Sequence, residues 1–173
     1  MKIPNSHPTL HVDGNAYDLS HLSAFAVPVA GKGREEGTDL NVLVKFSNHV
    51  FTERTMHGQR HDTVDHRGTR RSFDADRYQM SLRLPDLIAN AFFDGSYCFV
   101  SKDFSGFENL MLVQMENGDT WSVVFCFEPL ADAVVLEVLS THPKPIRDHH
   151  ASRRPLVFYA RKCLFGQHRI PKN

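Results

Sequence analysis

The chain has 173 residues, 41% of them hydrophobic and 23% charged, with a formal net charge of zero. This suits one domain with its own core and falls in the ordinary range for soluble proteins. No apolar run is long enough to span a bilayer, and no charged-then-apolar leader opens the sequence, so the expectation is a cytoplasmic protein without a membrane partner.

Residues 1–9 are polar and contain proline, so they order only by docking. Leu10-His11-Val12, Asp13-Gly14 and Asn15 to Leu19 then predict a small hairpin, because Asp-Gly tolerates the positive φ of a tight turn. Ala24 to Val29 is a short strand that Pro28 assigns to a sheet edge, since proline has no N–H to donate. Gly31 to Thr38 is a loop rich in glycine and charge.

Leu40, Val42, Val44 and Phe46 alternate with Asn41, Leu43 and Lys45, the period of a strand with one buried face. The strand runs into Ser47-Asn48-His49. Ser47 and Asn48 suit a turn made by side-chain-to-backbone bonds. His49 is either an ordinary strand-end residue or a proton-transfer group, its unperturbed pKa lying near physiological pH.

Glu53 to Arg71 shows no periodicity and reads as a long mobile loop. It holds His57, His61 and His66 beside Asp62 and Asp65. Such spacings mean a metal site only on a helix, and Gly58 and Gly68 argue against one, so no metal is assigned.

Asp74 caps a helical region, and Pro85 fits the first turn of a second helix. Leu84, Leu87, Ile88, Ala91 and Phe92 form an amphipathic stripe that needs a sheet to cover it, and Asp94-Gly95 ends it. Five strands follow. Tyr97 to Ser101 is the first, and the central pair is a hairpin over Glu108 to Pro129, turning at Asn117-Gly118. Val134 to Ser140 and Pro155 to Cys163 complete the set. The predicted fold is α+β. An antiparallel sheet of five or more strands carries one or two helices from 74–93 on one face, and an amino-terminal β layer precedes it.

Cys98, Cys126 and Cys163 are odd in number and widely spaced, which argues for buried reduced thiols over disulfides or a cysteine zinc site. Charge is uneven. From Ser140 to Asn173 eight basic residues face one acid, Asp148, a net +7, so the remainder carries −7. This is either a solvated basic tail balancing an acidic body or a surface for a polyanion or acidic partner. The basic residues include Lys144, Arg147, Arg153 and Arg154 in the connection after Ser140-Thr141-His142, where a second apolar strand ends in hydroxyls and a histidine. With Pro155 to Cys163 read as a strand, Tyr159 and Arg161 share a face; the pair either stacks a base and holds a phosphate or belongs to an amphipathic edge strand with a snorkelling arginine. No phosphate loop, dinucleotide fingerprint, nucleophile elbow or His-Glu-x-x-His occurs, so no cofactor is assigned.

The run Phe46-Ser47-Asn48-His49-Val50-Phe51-Thr52, with Phe73-Asp74-x-x-Arg77-Tyr78, Ser81 and Leu84-Pro85, resembles an uncharacterised bacterial family whose members carry inherited stationary-phase or heat-shock labels. A second resemblance is architectural. A helix followed by about four antiparallel strands, over roughly Asp74 to Lys162, looks like the metal-independent endoribonucleases of the barnase–EndoU–colicin–RelE group. The +7 carboxy-terminal segment and the strand-end histidines lead to the expectation of an RNA-binding protein of a toxin-type or mobile-element system, one that also cleaves RNA if these side chains meet at one phosphate. His49 and His142 would transfer protons, Arg161 and Lys162 would hold the phosphate, and Tyr159 would stack a base. The alternative is a non-catalytic module that docks a protein or nucleoprotein through the basic carboxy-terminal third. Charge reversal at Arg153 and Arg154, against substitution of the histidines, separates the two.

Overall fold

A computed structural model describes residues 9–31, 39–102, 108–116, 119–143 and 152–172. The chain enters through β1 (Leu10–Val12) and β2 (Asn15–Tyr17), paired antiparallel around Asp13-Gly14. Both turn residues hold positive φ, 49° and 81°, as a tight hairpin turn demands. Next, β3 (Phe25–Val29) lies at the edge of the main sheet, where Pro28 forfeits no ladder bond. In β4 (Leu40–Phe46) the residues Leu40, Val42, Val44 and Phe46 are buried.

The expected long loop over 53–71 is instead built into a three-stranded sheet. It comprises β5 (Thr52–Arg54), β6 (Thr63–Val64) and β7 (Arg70–Phe73), in the order β5-β7-β6. No apolar alternation announces it, because polar side chains hold it together. Asp62 accepts from the Phe73 N–H, and Asp65 accepts from the N–H groups of Arg67 and Thr69.

Asp74 accepts from the Arg77 N–H and so caps α1 (Ala75–Ser81). Pro85 occupies the first turn of α2 (Leu84–Phe93), where no N–H is missed. An antiparallel meander follows: β8 (Tyr97–Lys102), β9 (Glu108–Glu116), β10 (Asp119–Leu130) and β11 (Ala133–His142). β12 (Arg154–Pro155) pairs with the start of β8.

The strand expected over 155–163 is a helix, α3 (Leu156–Gly166). Val157-Phe158-Tyr159 suggests a strand by composition, but the burial has helical spacing. Leu156, Tyr159, Ala160 and Cys163 fall at i, i+3, i+4 and i+7, and all are buried. Tyr159 and Arg161 therefore do not share a sheet face.

The main sheet has the order β12-β8-β9-β10-β11-β4-β3. Every pair in it is antiparallel except β11 with β4. Two of the amino-terminal strands, β3 and β4, thus extend this sheet, and only β1 and β2 stand apart from it as a separate hairpin. Val44 lies beside Leu136, Leu136 beside Phe127, and Phe125 beside Leu110, a continuous apolar row across four strands. Leu84, Ile88 and Phe92 of α2 and the inward face of α3 close over the same core. Burying each such side chain stabilises by about 1.5–3 kcal/mol.

The residues from 32 onward of the expected Gly31–Thr38 loop, the Asn117-Gly118 turn, and Lys144 and Arg147 lie outside the described residues. Among the described residues, no helix is long and apolar enough to cross a membrane.

Candidate functional site

Where β4 ends, Ser47 turns the chain onto the end of β11. Its N–H donates to the Val138 carbonyl at 2.9 Å, and its hydroxyl donates to the Leu139 carbonyl at 2.8 Å. The same hydroxyl oxygen accepts from the His49 N–H at 3.1 Å and starts a single 3-10 turn, Asn48–Val50. The parallel pairing of β4 with β11 thereby delivers His49 to the strand end that carries His142, although 92 residues separate them.

His49 Nε2 lies 3.0 Å from Asp65 Oδ2. The Asp65 side chain is only 5% exposed, against 30% for His49. Burial works to raise the Asp65 pKa, but the Thr69 N–H, the His49 ring and the Arg67 N–H outweigh it and hold the carboxyl well below its usual range. Asp65 is therefore an anion at neutral pH. His49 moves down from its ordinary value, chiefly because burial disfavours the imidazolium; Asp65 opposes that shift, and the charge on Arg71 adds to it. A neutral ring facing a carboxylate donates from Nε2, which leaves Nδ1 as the basic nitrogen.

Arg77 ties the site together. Its NH1 donates to the His49 carbonyl at 3.1 Å, and its Nε lies 3.4 Å from Asp74 Oδ2, the carboxylate that caps α1. His142 is also shifted down, first by burial and then by the Arg77 charge. The His142 Nε2 sits 3.0 Å from the Ser140 hydroxyl. Arg71, 7% exposed, donates from Nε and NH2 to the Thr52 hydroxyl and carbonyl. Thr52 in turn donates to the Asn48 carbonyl at 2.6 Å. His49, Asp65 and Arg77, with Arg71 beside them through Thr52 and the Asn48 carbonyl, thus form one polar assembly, and the charge of Arg77 links it to His142. It can take up a proton, release one, and stabilise negative charge.

A cavity of about 590 Å³ opens beside this assembly, between the β1–β2 hairpin, the end of β4 and the Asp65 turn. Leu10, Leu19, Phe46 and Phe51 give it an apolar wall, and Asn48 and Asp65 give it polar edges.

The other sequence candidates lie elsewhere. Tyr159 is buried, and its hydroxyl donates to the Ser152 carbonyl, so it cannot stack a base. Arg161 and Lys162 sit on α3, and no described contact joins them to His49 or His142. One guanidinium nitrogen of Arg161, NH1, is buried without a hydrogen-bond partner among the described residues. Arg153 stacks over the exposed Tyr97 ring at 5.2 Å, and Arg154 is exposed beside it.

Sequence reasoning did not assign Arg77, Asp65 or Arg71 to this site. The available signals were local ones: an aspartate three residues before a turn glycine, Asp65 with Gly68, and an N-cap pattern, Asp74-x-x-Arg77.

Among the described residues, one potential metal-ligand group stands out. It is Cys126, Glu128 and Glu137, with ligand atoms within 4.8 Å of one another. Burial pushes the Cys126 thiol up to about 12, and the neighbouring Arg169 bonds to it. A protonated thiol beside a guanidinium is a poor donor set for a cation.

Neither a curated protein nor a solved structure matches the chain. A family model does, over residues 9–164, from the first hairpin through α3. On that match, the chain belongs to the YjaZ family.

Proposed function

We propose that the protein binds RNA and cleaves it without a metal, using His49 and His142 as the proton-transfer pair. The observation that supports this is the position of Arg77, bonded to the His49 backbone while its charge reaches His142. Cleavage of an RNA phosphodiester needs a base, an acid and a cation around one phosphorus. His49, held by Asp65, takes the proton from the 2′-hydroxyl at Nδ1. The 2′-oxygen then bonds to phosphorus while the bond to the 5′-oxygen breaks. His142 in its protonated form donates to that leaving oxygen, giving a 2′,3′-cyclic phosphate and a free 5′-hydroxyl. Arg77 offsets the added negative charge of the phosphorane.

Incubating the protein with RNA in EDTA tests the proposal. The expected result is cleavage by the parent chain, with His49→Ala and His142→Ala each slower by about 10²–10⁴-fold. Because both rings are shifted down, the rate should peak on the acid side of the ordinary histidine value of 6.5. Equal cleavage by all three proteins, or none by the parent, would reject the site.

A further inference from the structure

We infer that the outward face of α3 is a track for single-stranded RNA. The inference rests on the RNA reading above for its class of ligand and on separate residues for everything else. Burial of Leu156, Tyr159, Ala160 and Cys163 turns Phe158, Lys162 and Phe165 to the opposite side of the helix, at i, i+4 and i+7, with the half-buried Arg161, one guanidinium nitrogen of which is buried, at the edge of that face. Phe158 is 46% exposed and Phe165 56%, unusual for rings of this size. The Phe158 ring is braced edge-on by Tyr159, with centroids 5.4 Å apart, and Tyr159 is itself anchored to the Ser152 carbonyl. Phe158 is therefore a supported platform.

The two rings bracket one exposed cation, Lys162, with the half-buried guanidinium of Arg161 beside it. Neither Arg161 nor Lys162 has an ion-pair partner among the described residues, and no acid occurs in the sequence after Asp148. At helical rise, seven residues separate the rings by about 10 Å, enough to stack two different bases with phosphate between them. A single strand offers ring faces and charge in that alternation. An apolar helix partner would meet the Lys162 ammonium at the centre of its footprint, and a purely acidic peptide would leave both rings in water.

Fluorescence anisotropy with a labelled oligouridylate, in EDTA and at low salt, tests the track. The binding arm uses chains carrying His49→Ala and His142→Ala, so that the strand stays intact. Alanine keeps an exposed helix position helical, and circular dichroism verifies the fold. Adding Phe158→Ala and Phe165→Ala should weaken binding by about tenfold or more, and Lys162→Glu should weaken it further. The same α3 substitutions, in chains with both histidines, should leave cleavage of the dinucleotide UpA unchanged, since that substrate is too short to use the track.

Unchanged affinity in the phenylalanine variants, or no binding by the starting chain, overturns the inference. So does α3-dependent binding of polyglutamate or phosphatidylglycerol vesicles in place of RNA. Failure of the dinucleotide to be cleaved, with α3-dependent binding intact, removes the proposed catalytic pair and leaves the track standing.

Discussion

Asp65 accepts three hydrogen bonds with a side chain only 5% exposed, so its proton affinity is coupled to folding. Its folded-state pKa lies below the ordinary 3.8, so the unfolded chain takes up that proton first as pH falls. The stability Asp65 contributes is complete above that value and is lost below it. His49 and His142 act in the same direction in a higher window. Both are depressed below 6.5, so stability declines as pH falls through and beneath 6.5. Chemical denaturation across pH should show both declines. His142→Gln should flatten the upper one, and Asp65→Asn should remove the lower one at a cost of about 1.5–3 kcal/mol at neutral pH. A flat profile above pH 5 in the parent chain would contradict the buried, neutral state of the two rings.

At the scale of elements, α1 does more than pack. Asp74 both caps the helix and holds Arg77, so one carboxylate sets the helix start and the position of the guanidinium. Asp74→Ala should cost about 1 kcal/mol of stability as a lost cap. It should also reduce RNA cleavage more than an unrelated change of equal stability cost, which paired denaturation and rate measurements would separate. Equal activity at equal stability would confine Asp74 to capping. The elements that local chemistry dictates were legible in the sequence: the Asp13-Gly14 hairpin, the alternation of β4, Pro85 at a helix start and Gly95 at its end. The small sheet β5-β7-β6 was not, because aspartate-to-backbone bonds hold it and these leave no hydrophobic period. Nor was α3. Val157, Phe158 and Tyr159 favour strands on composition, and tertiary burial of one helical face overrides that preference.

For the whole molecule, the decisive feature is the parallel pairing of β4 with β11. Antiparallel neighbours follow from short turns that a sequence displays. A parallel contact between β4 and β11 depends on a crossover of dozens of residues, which a sequence does not display. That contact brings the Ser47–His49 turn against Val138 and Leu139. Both histidines were therefore recognisable as strand-end candidates, while the placing of Arg77 against the His49 backbone, with its charge felt at His142, was not. The buried row Val44, Leu136, Phe127, Phe125 and Leu110 keeps the two strand ends in register and supplies the rigid support that the proposed proton-transfer pair needs.

The most direct test is a double-mutant cycle on UpA cleavage in EDTA, using His49→Ala, His142→Ala and the pair together. If the two rings serve one reaction around Arg77, the double variant should be about as slow as either single variant. Losses that simply multiply, or a parent chain that leaves the dinucleotide intact, would contradict a shared site.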